Sequence, residues 1–409
     1  MSGITDCALL SAFAIAGGSL SALNSGEGYG NVVTLKRYTS NGHAYPYVSG
    51  QAIRFALRNA IREQVQNNGA CIYDEDGHSC GRPATCVLCD LMGFMRAEGK
   101  PPTEDSLKKE IKKLENRIKD SKPDEKRKLE ADVALLRATI PDARKREELS
   151  KAIAKERKLI KDAIGKPGTL SKEQIGDLRN EIEKKLFELD QLNPRDKRQS
   201  PLQVSPFMGL VPLEDSLVTD FLTSEKPGTM DKAIANIEAC KNIYYGAWAL
   251  DLKRVGAYDL LDPVAQTITW KPIYSANGQV GTNFRNQRVR YLLKAFQHLA
   301  GFAKQARMMD SLEADAVVFC LSPVYSHLII KLAHGLTASN GSVAVNDELW
   351  RSVLKDCRAQ GASFTVGLRE GLLKDTSKFK ELFKGEVKGS PHEAFAAVME
   401  QFAVDGAGT

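Results

Sequence analysis

Apolar and polar positions alternate at helical spacing in one N-terminal segment and divide it into two sides. Ile53, Leu57 and Ile61 fall on one side of a helix with 3.6 residues per turn. The opposite side carries an arginine at every fourth position: Arg54, Arg58 and Arg62. The pattern predicts an amphipathic helix over residues 52–65, with an apolar side packed in the core and a basic side facing outward.

The residues before this helix predict a sharp turn into it. Pro46 disfavours helix in the residue before it, and Ser49 is a suitable N-cap for the helix that follows. Gly50 permits a sharp bend or a close approach of another group to the backbone. A helix N-terminus beside guanidinium groups is suited to hold phosphate. An ordinary solvated arginine face explains the same pattern equally well, so periodicity alone leaves both interpretations open.

The other periodic segments indicate a mixed α/β body. A ferredoxin-like β-α-β-β-α-β unit would accommodate strands that alternate with two packed helices. The apolar run from Cys7 to Gly18 lacks a basic leader, which favours a buried first strand over a signal peptide. The predicted strands are Ile4–Ala16, Asn31–Tyr38, Ile243–Leu252 and Ala316–Leu321, and the further predicted helices are Gln287–Ala303 and Glu348–Gln360.

A charged segment, residues 96–198, interrupts this body. It holds 29 Lys+Arg and 22 Asp+Glu among 103 positions, whereas the rest of the chain has 28 basic and 29 acidic residues. A nucleic-acid path in the body must therefore be a local groove. Apolar residues at steps of four and three, beginning at Leu107 and at Leu129, predict an antiparallel helical arm whose helices are separated at Pro123 and Pro141. Two more helices are expected around residues 153–164 and 178–189. Mixed charge of this kind is typical of solvated helix surface, and a docking arm is the alternative.

A cluster of cysteines is the second chemical signal. Cys71, Cys80, Cys86 and Cys89 lie close together in the sequence, and His78 lies among them as a substitute ligand. The Cys-x-x-Cys spacing at the end of the cluster lets two thiolates share one metal ion. The cluster predicts a closed, structural zinc site, and the alternative is a group of reduced or buried thiols.

Further basic residues complete a candidate groove. Lys36 and Arg37 lie on the strand before the turn, and Arg285 and Arg288 share one outer flank of the second helix. Gly301 is expected to end that helix, and the loop after it contains Lys304, Gln305 and Arg307. Backbone amides and basic side chains in such a loop grip phosphates without reading sequence. Three tyrosines offer stacking surfaces for unpaired bases, although packing on the sheet explains each singly: Tyr38, Tyr45 and Tyr47.

Four segments in this order resemble the backbone subunit of the CRISPR Cascade complex, in the DevR-like branch of the RAMP superfamily found in type I-B and related type I systems. They are GGSLSALNSGEGYGNVVTLKRYTSNGHAYPYVSGQAIRFALR (Gly17–Arg58), RQSPLQVSPFMGLVP (Arg198–Pro212), WALDLKRVGAY (Trp248–Tyr258) and the region from Asn283 to Phe319. The resemblance implies an α+β fold: a ferredoxin-like, RRM-like palm over residues 1–95 and 199–409, a thumb at about 199–230, and the helical insertion at 96–198.

The resemblance also implies a function. The expected protein is a non-catalytic, cytoplasmic subunit that oligomerises along guide crRNA and presents spacer bases to target DNA. Its partners would be further copies of itself and the small backbone-capping, large PAM-reading and crRNA-processing subunits, without a membrane. The expected RNA-binding residues are Lys36, Arg37, Tyr47, Ser49, Gly50, Gln51, Arg54, Arg58, Arg285, Arg288, Lys304, Gln305 and Arg307.

Two other functions remain open at this point. Backbone relatives in type III complexes cleave target RNA with an aspartate in the loop after the first strand. Here the corresponding residues 24–31 read NSGEGYGN, with Glu27 as their only acid, so no catalytic residue is predicted. The cysteine cluster also suits a zinc-containing structural or regulatory RNA-binding protein.

Overall fold

The fold is described from a computed structural model of the 409-residue chain. The residues described are 7–29, 32–65, 69–72, 79–95, 103–119, 123–165, 169–192, 197–225, 232–261, 268–272, 282–302, 308–339 and 341–404. Contacts divide the chain into two compact units. Unit 1 comprises Met1–Ala70, Ser200–Gly256 and Val280–Thr409, and unit 2 comprises Cys71–Gln199 and Ala257–Gln279.

Helices and antiparallel strands both contribute to the described residues, which confirms the predicted mixture of the two. The strands are β1 Leu9–Ser21, β2 Ser25–Tyr29, β3 Val32–Leu35, β4 Arg37–Ser40, β5 His43–Val48, β6 Phe94–Met95, β7 Lys197–Arg198, β8 Leu202–Val204, β9 Phe207–Gly209, β10 Leu217–Glu225, β11 Lys232–Asp251, β12 Ala257–Leu261, β13 Ile268–Pro272, β14 Ala316–Ser322, β15 Leu336–Ser339, β16 Ser342–Val345 and β17 Ser363–Leu368. The helices are α1 Gly50–Gln64, α2 Val87–Met92, α3 Glu104–Lys119, α4 Pro123–Gly165, α5 Lys172–Leu192, α6 Thr282–Gln297, α7 Asp347–Ala359, α8 Thr376–Leu382 and α9 Pro391–Gln401.

Unit 1 is built on a large sheet with β1 near its centre. β1 pairs antiparallel with β11 on one side and with β14 on the other. The sheet continues from β14 to β17, and from β11 through β9 and β5 to β4, while β8 also pairs with β11. β1 is buried from Leu9 to Ala16, as expected for an apolar strand whose two faces are both covered by other elements.

Aromatic residues fill the core on both faces of this sheet. On one face, Trp248 of β11 stacks on Phe296 of α6 with ring centroids 4.5 Å apart, and α1 packs beside α6. On the other face, Phe13 of β1 meets the edge of Trp350 from α7 at 6.0 Å. The buried Trp350 also donates a hydrogen bond from its ring nitrogen to the carbonyl of Leu332. Both faces of the sheet are therefore covered, and the buried rings contribute a large share of the apolar area removed from water there.

Unit 2 contains the helical arm, whose two ends meet in a short antiparallel pair. Phe94 in β6 lies opposite Arg198 in β7, and Met95 lies opposite Lys197. Between these strands, α3 runs antiparallel to the first half of α4, and α5 runs antiparallel to its second half. The salt bridges that report this arrangement are Arg144–Glu104, Arg137–Glu115 and Lys145–Glu188.

The arm differs from the prediction at Pro141. The sequence predicted that this proline would separate two helices, but α4 continues through it for 43 residues, a length of about 65 Å. Pro141 lies just before Arg144 and Lys145, which pair with the start of α3 and the end of α5 respectively. Packing on both sides of this point offsets the roughly 3 kcal/mol that an interior proline costs.

The other element predictions hold with shifted ends. α1 and α7 lie within two residues of their predicted limits, and the predicted strand over residues 31–38 is two short strands, β3 and β4. α6 ends at Gln297, and Gly301 follows in the loop with φ of 82°. The predicted domain limits at residues 95/96 and 198/199 stay a prediction. None of the described helices combines the length and apolar character needed to cross a bilayer.

Candidate nucleic-acid interface and metal centre

The N-terminus of α1 is formed by the turn that the sequence predicted. The Ser49 side chain accepts a hydrogen bond from the backbone N–H of Ala52 at 3.3 Å and so acts as the N-cap. A Cβ atom at Gly50 would lie only 3.1 Å from the carbonyl oxygen of Val204, which explains the glycine. Gln51 is exposed in the first turn. The N–H groups of this turn that the helix leaves unbonded are available to an anion.

Arg54 connects α1 to the segment after the arm. Its guanidinium donates hydrogen bonds to the Leu202 carbonyl at 2.9 Å and to Ser200 Oγ at 3.3 Å. The contact brings together two of the segments that carry the family resemblance. These bonds occupy part of the half-buried guanidinium. Arg54 therefore has a structural role in addition to its predicted role in RNA binding.

Backbone hydrogen bonds place Lys36 next to the turn. The Tyr47 N–H donates to the Lys36 carbonyl at 3.0 Å, and the Lys36 N–H donates to the Asn24 carbonyl at 3.1 Å. Arg37 points elsewhere, since it forms a salt bridge with Glu238 of β11. The structure therefore brings Lys36, Tyr47 and the start of α1 together and engages Arg37 in an ion pair.

The helix α6 does not present both of its predicted arginines to solvent. Arg288 is only 2% exposed, with its guanidinium carbon 3.9 Å from the centre of the Phe284 ring. The prediction that it shares an outer flank with Arg285 is wrong, because Arg288 lies in the interior as a cation–π partner. Arg285 is half-buried, and burial lowers the pKa of its guanidinium.

Several predicted site residues lie outside the described residues. They are the loop residues Lys304, Gln305 and Arg307, and the substitute ligand His78. Their predicted roles stay predictions.

The cysteine cluster forms a compact group of sulfur atoms within unit 2. The Sγ atoms of Cys71, Cys80, Cys86 and Cys89 all lie within 4.8 Å of one another. Cys89 Sγ is 3.4 Å from Cys80 Sγ and 3.8 Å from Cys71 Sγ. Such a group is able to hold a metal ion, as the sequence predicted.

Backbone and side-chain hydrogen bonds support thiolate character at two members of this cluster, Cys71 and Cys86. Cys86 is the N-cap of α2, and its Sγ accepts hydrogen bonds from the N–H groups of Cys71 and Cys89 at 3.3 and 3.4 Å. The pKa of the Cys71 thiol is lowered because its thiolate accepts hydrogen bonds from Cys80, and then from Cys86 and Cys89. Donors directed at sulfur in this way stabilise the charged form that binds metal.

A buried ion pair connects the cluster to the base of the arm. Asp90 follows Cys89 in α2 and is fully buried, and its carboxylate accepts a hydrogen bond from Arg198 of β7. The same guanidinium donates to the Asp90 carbonyl at 3.1 Å and to the Ala257 carbonyl at 3.0 Å. One arginine therefore joins α2, the end of the arm and β12.

Replacing Arg198 with alanine is expected to destabilise unit 2 by about 3–5 kcal/mol, because Asp90 is left as an uncompensated buried charge. Arg198→Lys should recover only part of this loss, since one ammonium group cannot span the carboxylate and carbonyl of Asp90 together with the carbonyl of Ala257. Thermal unfolding and limited proteolysis of the arm measure the effect.

The matched control is Arg144→Ala, which removes an arginine from an exposed ion pair in the same unit. Its side chain is 58% exposed, and such pairs contribute at most about 1 kcal/mol. Equal stability of the Arg198→Ala and Arg144→Ala proteins would contradict the role given to Arg198.

Sequence reasoning missed Arg198 and one residue of α1, Phe55. In the sequence, Arg198 stands out only as the first residue of a segment that resembles the family. No local pattern identifies it as the buried partner of Asp90. Phe55 had a readable signal, because it occupies the polar side of α1, where 56% of it is exposed.

The N-terminal region matches known proteins. Residues 18–109 match the family model described as "CRISPR-associated negative auto-regulator DevR/Csa2". A protein of Myxococcus xanthus (strain DK1622), "CRISPR-associated protein Cas7/Cst2/DevR", is 33% identical over 91 residues. Residues 18–109 therefore resemble DevR-type CRISPR-associated proteins. The resemblance predicted from the sequence is thereby confirmed over these residues.

The sequence similarity to the Myxococcus protein covers only part of this chain and part of that protein. The aligned region covers 19% of the chain and 30% of the Myxococcus protein. Two solved structures align over nearly the whole chain. "CRISPR RNA-guided surveillance complex" has 12% identity and a TM-score of 0.46 over 96% of this chain and 98% of its own. "CRISPR RNA-guided surveillance complex, pre-nicking" has 14% identity and a TM-score of 0.48 over 97% and 100%.

Proposed function

We propose that this DevR-like chain is a non-catalytic backbone subunit of a type I CRISPR interference complex, with a leaning to type I-B. Several copies line the guide crRNA, each holds a short stretch of its backbone, and the exposed bases pair with target DNA. The partners are the guide, further copies of the chain, and capping, PAM-reading and crRNA-processing subunits. Base pairing supplies the sequence recognition, and the protein recognises backbone and shape.

The observation that carries this proposal is the site at the start of α1. Within the segment that matches the family model, Lys36 lies next to the strand that leads into a capped helix N-terminus, and the same helix carries Arg58 further along. Arg58 is partly exposed on α1, two turns after the N-cap. Helix N–H groups and cationic side chains are the groups that bind a phosphate backbone without reading sequence.

A ferredoxin-like palm is supported by the order of elements in unit 1. Along the chain, β1, α1, β8 with β9, β11, α6 and β14 follow one another, with additional elements between them. In the sheet, β14, β1, β11 and then β9 are neighbours, and the pairings are antiparallel. This succession is that of a β-α-β-β-α-β unit with β17 added at one edge.

Two aspartates close to the end of β1, Asp310 and Asp315, already accept hydrogen bonds from protein groups, and this supports a non-catalytic role. The Asp310 carboxylate accepts hydrogen bonds from the Ser19 N–H at 3.2 Å and from Ser21 Oγ at 2.6 Å. The Asp315 carboxylate accepts one from the Gly17 N–H and pairs with Arg369. These acids hold the irregular second half of β1, where the pairing register with β11 shifts. A metal-dependent nuclease needs carboxylates that are free to bind a cation.

Zinc is the metal best suited to the cysteine cluster. A tetrahedron of sulfurs with zinc–sulfur bonds of about 2.3 Å has edges of about 3.8 Å, close to the 3.4 and 3.8 Å measured here. Four cysteine ligands leave no open position, so the zinc would be structural. Its stabilising role would extend through Asp90 and Arg198 to the base of the arm.

Sequencing the nucleic acid that copurifies with the chain tests this function. The chain is expressed together with a CRISPR array and purified at moderate salt. Discrete, guide-sized RNA with repeat-derived ends is expected. Its release by higher salt should be nearly independent of spacer sequence, because phosphate contacts dominate the affinity.

Two results would favour the other functions. Capture of a defined DNA or messenger segment in place of guide RNA would favour a regulatory protein, the role printed in the description of the matching family model. Regularly spaced, Mg²⁺-dependent cuts in a complementary RNA added to the assembled complex would favour a type III-like nuclease. Either result would overturn the backbone assignment as stated.

A further inference from the structure

The exposed side of α1 contains an aromatic side chain at its centre. Phe55 is 56% exposed, whereas Ile53, Leu57 and Ile61 of the same helix are fully buried. At 100° per residue, Phe55 projects directly away from the buried side. Phe55 is therefore an apolar ring on the otherwise polar side of an amphipathic helix, where a stacked ligand would shield it from water.

The neighbours of Phe55 on the helix surface are polar and cationic. Gln51 lies one turn before it, and Arg58, Asn59 and Arg62 lie within two turns after it. Arg62 donates a hydrogen bond to Asn59 Oδ1 at 3.0 Å, so this guanidinium is held on the same side of the helix as the ring. An apolar ring bordered by cations fits a ligand that has both flat apolar faces and negative charge.

We propose that Phe55 is a stacking platform for one unpaired base of the bound RNA, while Arg58 and Arg62 hold the flanking phosphates. This inference rests on the proposed function and adds to it a base contact alongside the backbone contacts. Base–aromatic stacking tolerates any sequence because every base has a π-face. A platform of this kind therefore suits a protein that must accept every spacer.

The tyrosines suggested by the sequence fit this role less well. Tyr38 and Tyr45 stack on each other with ring centroids 5.4 Å apart and an angle of 24°, so each ring has one face already covered. Burial first, and then the neighbouring Tyr245 and Tyr45, raise the pKa of Tyr38 to about 12. Tyr47 is half-buried in β5, between strands. Phe55 offers a more accessible ring than these candidates, and it lies on the helix that carries the arginines.

The test is a double-mutant cycle between the full-length protein and its RNA. Wild type, Phe55→Ala, Phe55→Leu and Phe55→Trp are titrated into fluorescently labelled, mixed-sequence single-stranded RNA, and into an RNA of the same length built from abasic nucleotides. On normal RNA, Phe55→Ala and Phe55→Leu should lose at least about fivefold in affinity, the smallest effect expected from a lost stack. Phe55→Trp should bind like wild type, and the abasic RNA should not distinguish the four proteins.

The control removes an exposed apolar side chain from another helix. Leu159→Ala in α4 should leave RNA binding unchanged. A Phe55→Leu protein that binds like wild type, or an equal loss on abasic RNA, would overturn stacking. A second comparison uses an RNA long enough for one protein copy and an RNA that holds several copies. The inference also fails if Phe55→Ala binds the short RNA normally and is impaired only on the long one, since the ring would then contact a neighbouring copy. Failure of the wild type to bind RNA would overturn the proposed function itself, so the two failures are distinguishable.

Discussion

Glutamate at both Lys36 and Arg58 is expected to weaken guide RNA binding about a hundredfold or more and to abolish assembly on the guide. Hydrogen bonds to charged groups contribute about 1.5–3 kcal/mol each, and reversal of charge adds repulsion from the phosphates. The affinity should also depend less steeply on salt. The slope of the logarithm of the binding constant against the logarithm of salt concentration should fall by about 0.7 for each lost phosphate contact on single-stranded RNA. Fluorescence anisotropy at several salt concentrations measures both effects, and size-exclusion chromatography measures assembly.

The choice of Arg58 over Arg54 follows from the contacts of Arg54 with Ser200 and Leu202. A glutamate at residue 54 would break the fold contact and the RNA contact together, and the two losses could not be separated. The matched control is Lys155→Glu with Lys158→Glu, which makes the same change in net charge on the exposed surface of α4. Equal losses in the two double variants would show that bulk charge, not the α1 site, governs binding.

Serine at both Cys86 and Cys89 is expected to abolish the proposed zinc binding and to unfold the segment around α2. Structural zinc sites in small domains contribute on the order of 10 kcal/mol, since the unfolded chain lacks a preformed site. The loss should extend to the base of the arm, because Arg198 loses its position when Asp90 moves with α2. Metal content by mass spectrometry, together with the rate of proteolysis at the arm, measures the two effects.

Cys7→Ser is the control for that variant, because Cys7 lies outside the cluster. Its metal content and stability should match those of the wild type. A doubly substituted protein that keeps one zinc per chain would show that the metal binds elsewhere. The wild type could instead purify without metal and show the same resistance to proteolysis before and after zinc is added. That result would favour reduced thiols over a zinc site.

The elements near α1 could be predicted from the sequence because their signals are local. Periodicity located the helix, and Ser49 and Gly50 are read from the chemistry of a single turn. The four cysteines were likewise grouped by spacing alone. Signals of this kind need no knowledge of what packs against the segment.

The errors arose where distant packing decides the outcome. Arg288 has the same sequence context as an exposed helix arginine, but the aromatic ring of Phe284 and the neighbouring helices enclose it. Pro141 would end an isolated helix, but two antiparallel partners hold α4 on either side of it. The partnership of Asp90 with Arg198 spans more than a hundred residues, and no spacing rule covers that distance.

The pairing of β6 with β7 brings the two ends of the arm side by side, so the arm is an insertion with adjacent ends. The chain leaves at Met95 and returns at Lys197, and residues opposite each other in an antiparallel pair have Cα atoms only about 5 Å apart. A two-residue hairpin turn could close that gap. All three long helices therefore enter and leave the fold through a single strand pair, and a change in arm length need not alter that pair.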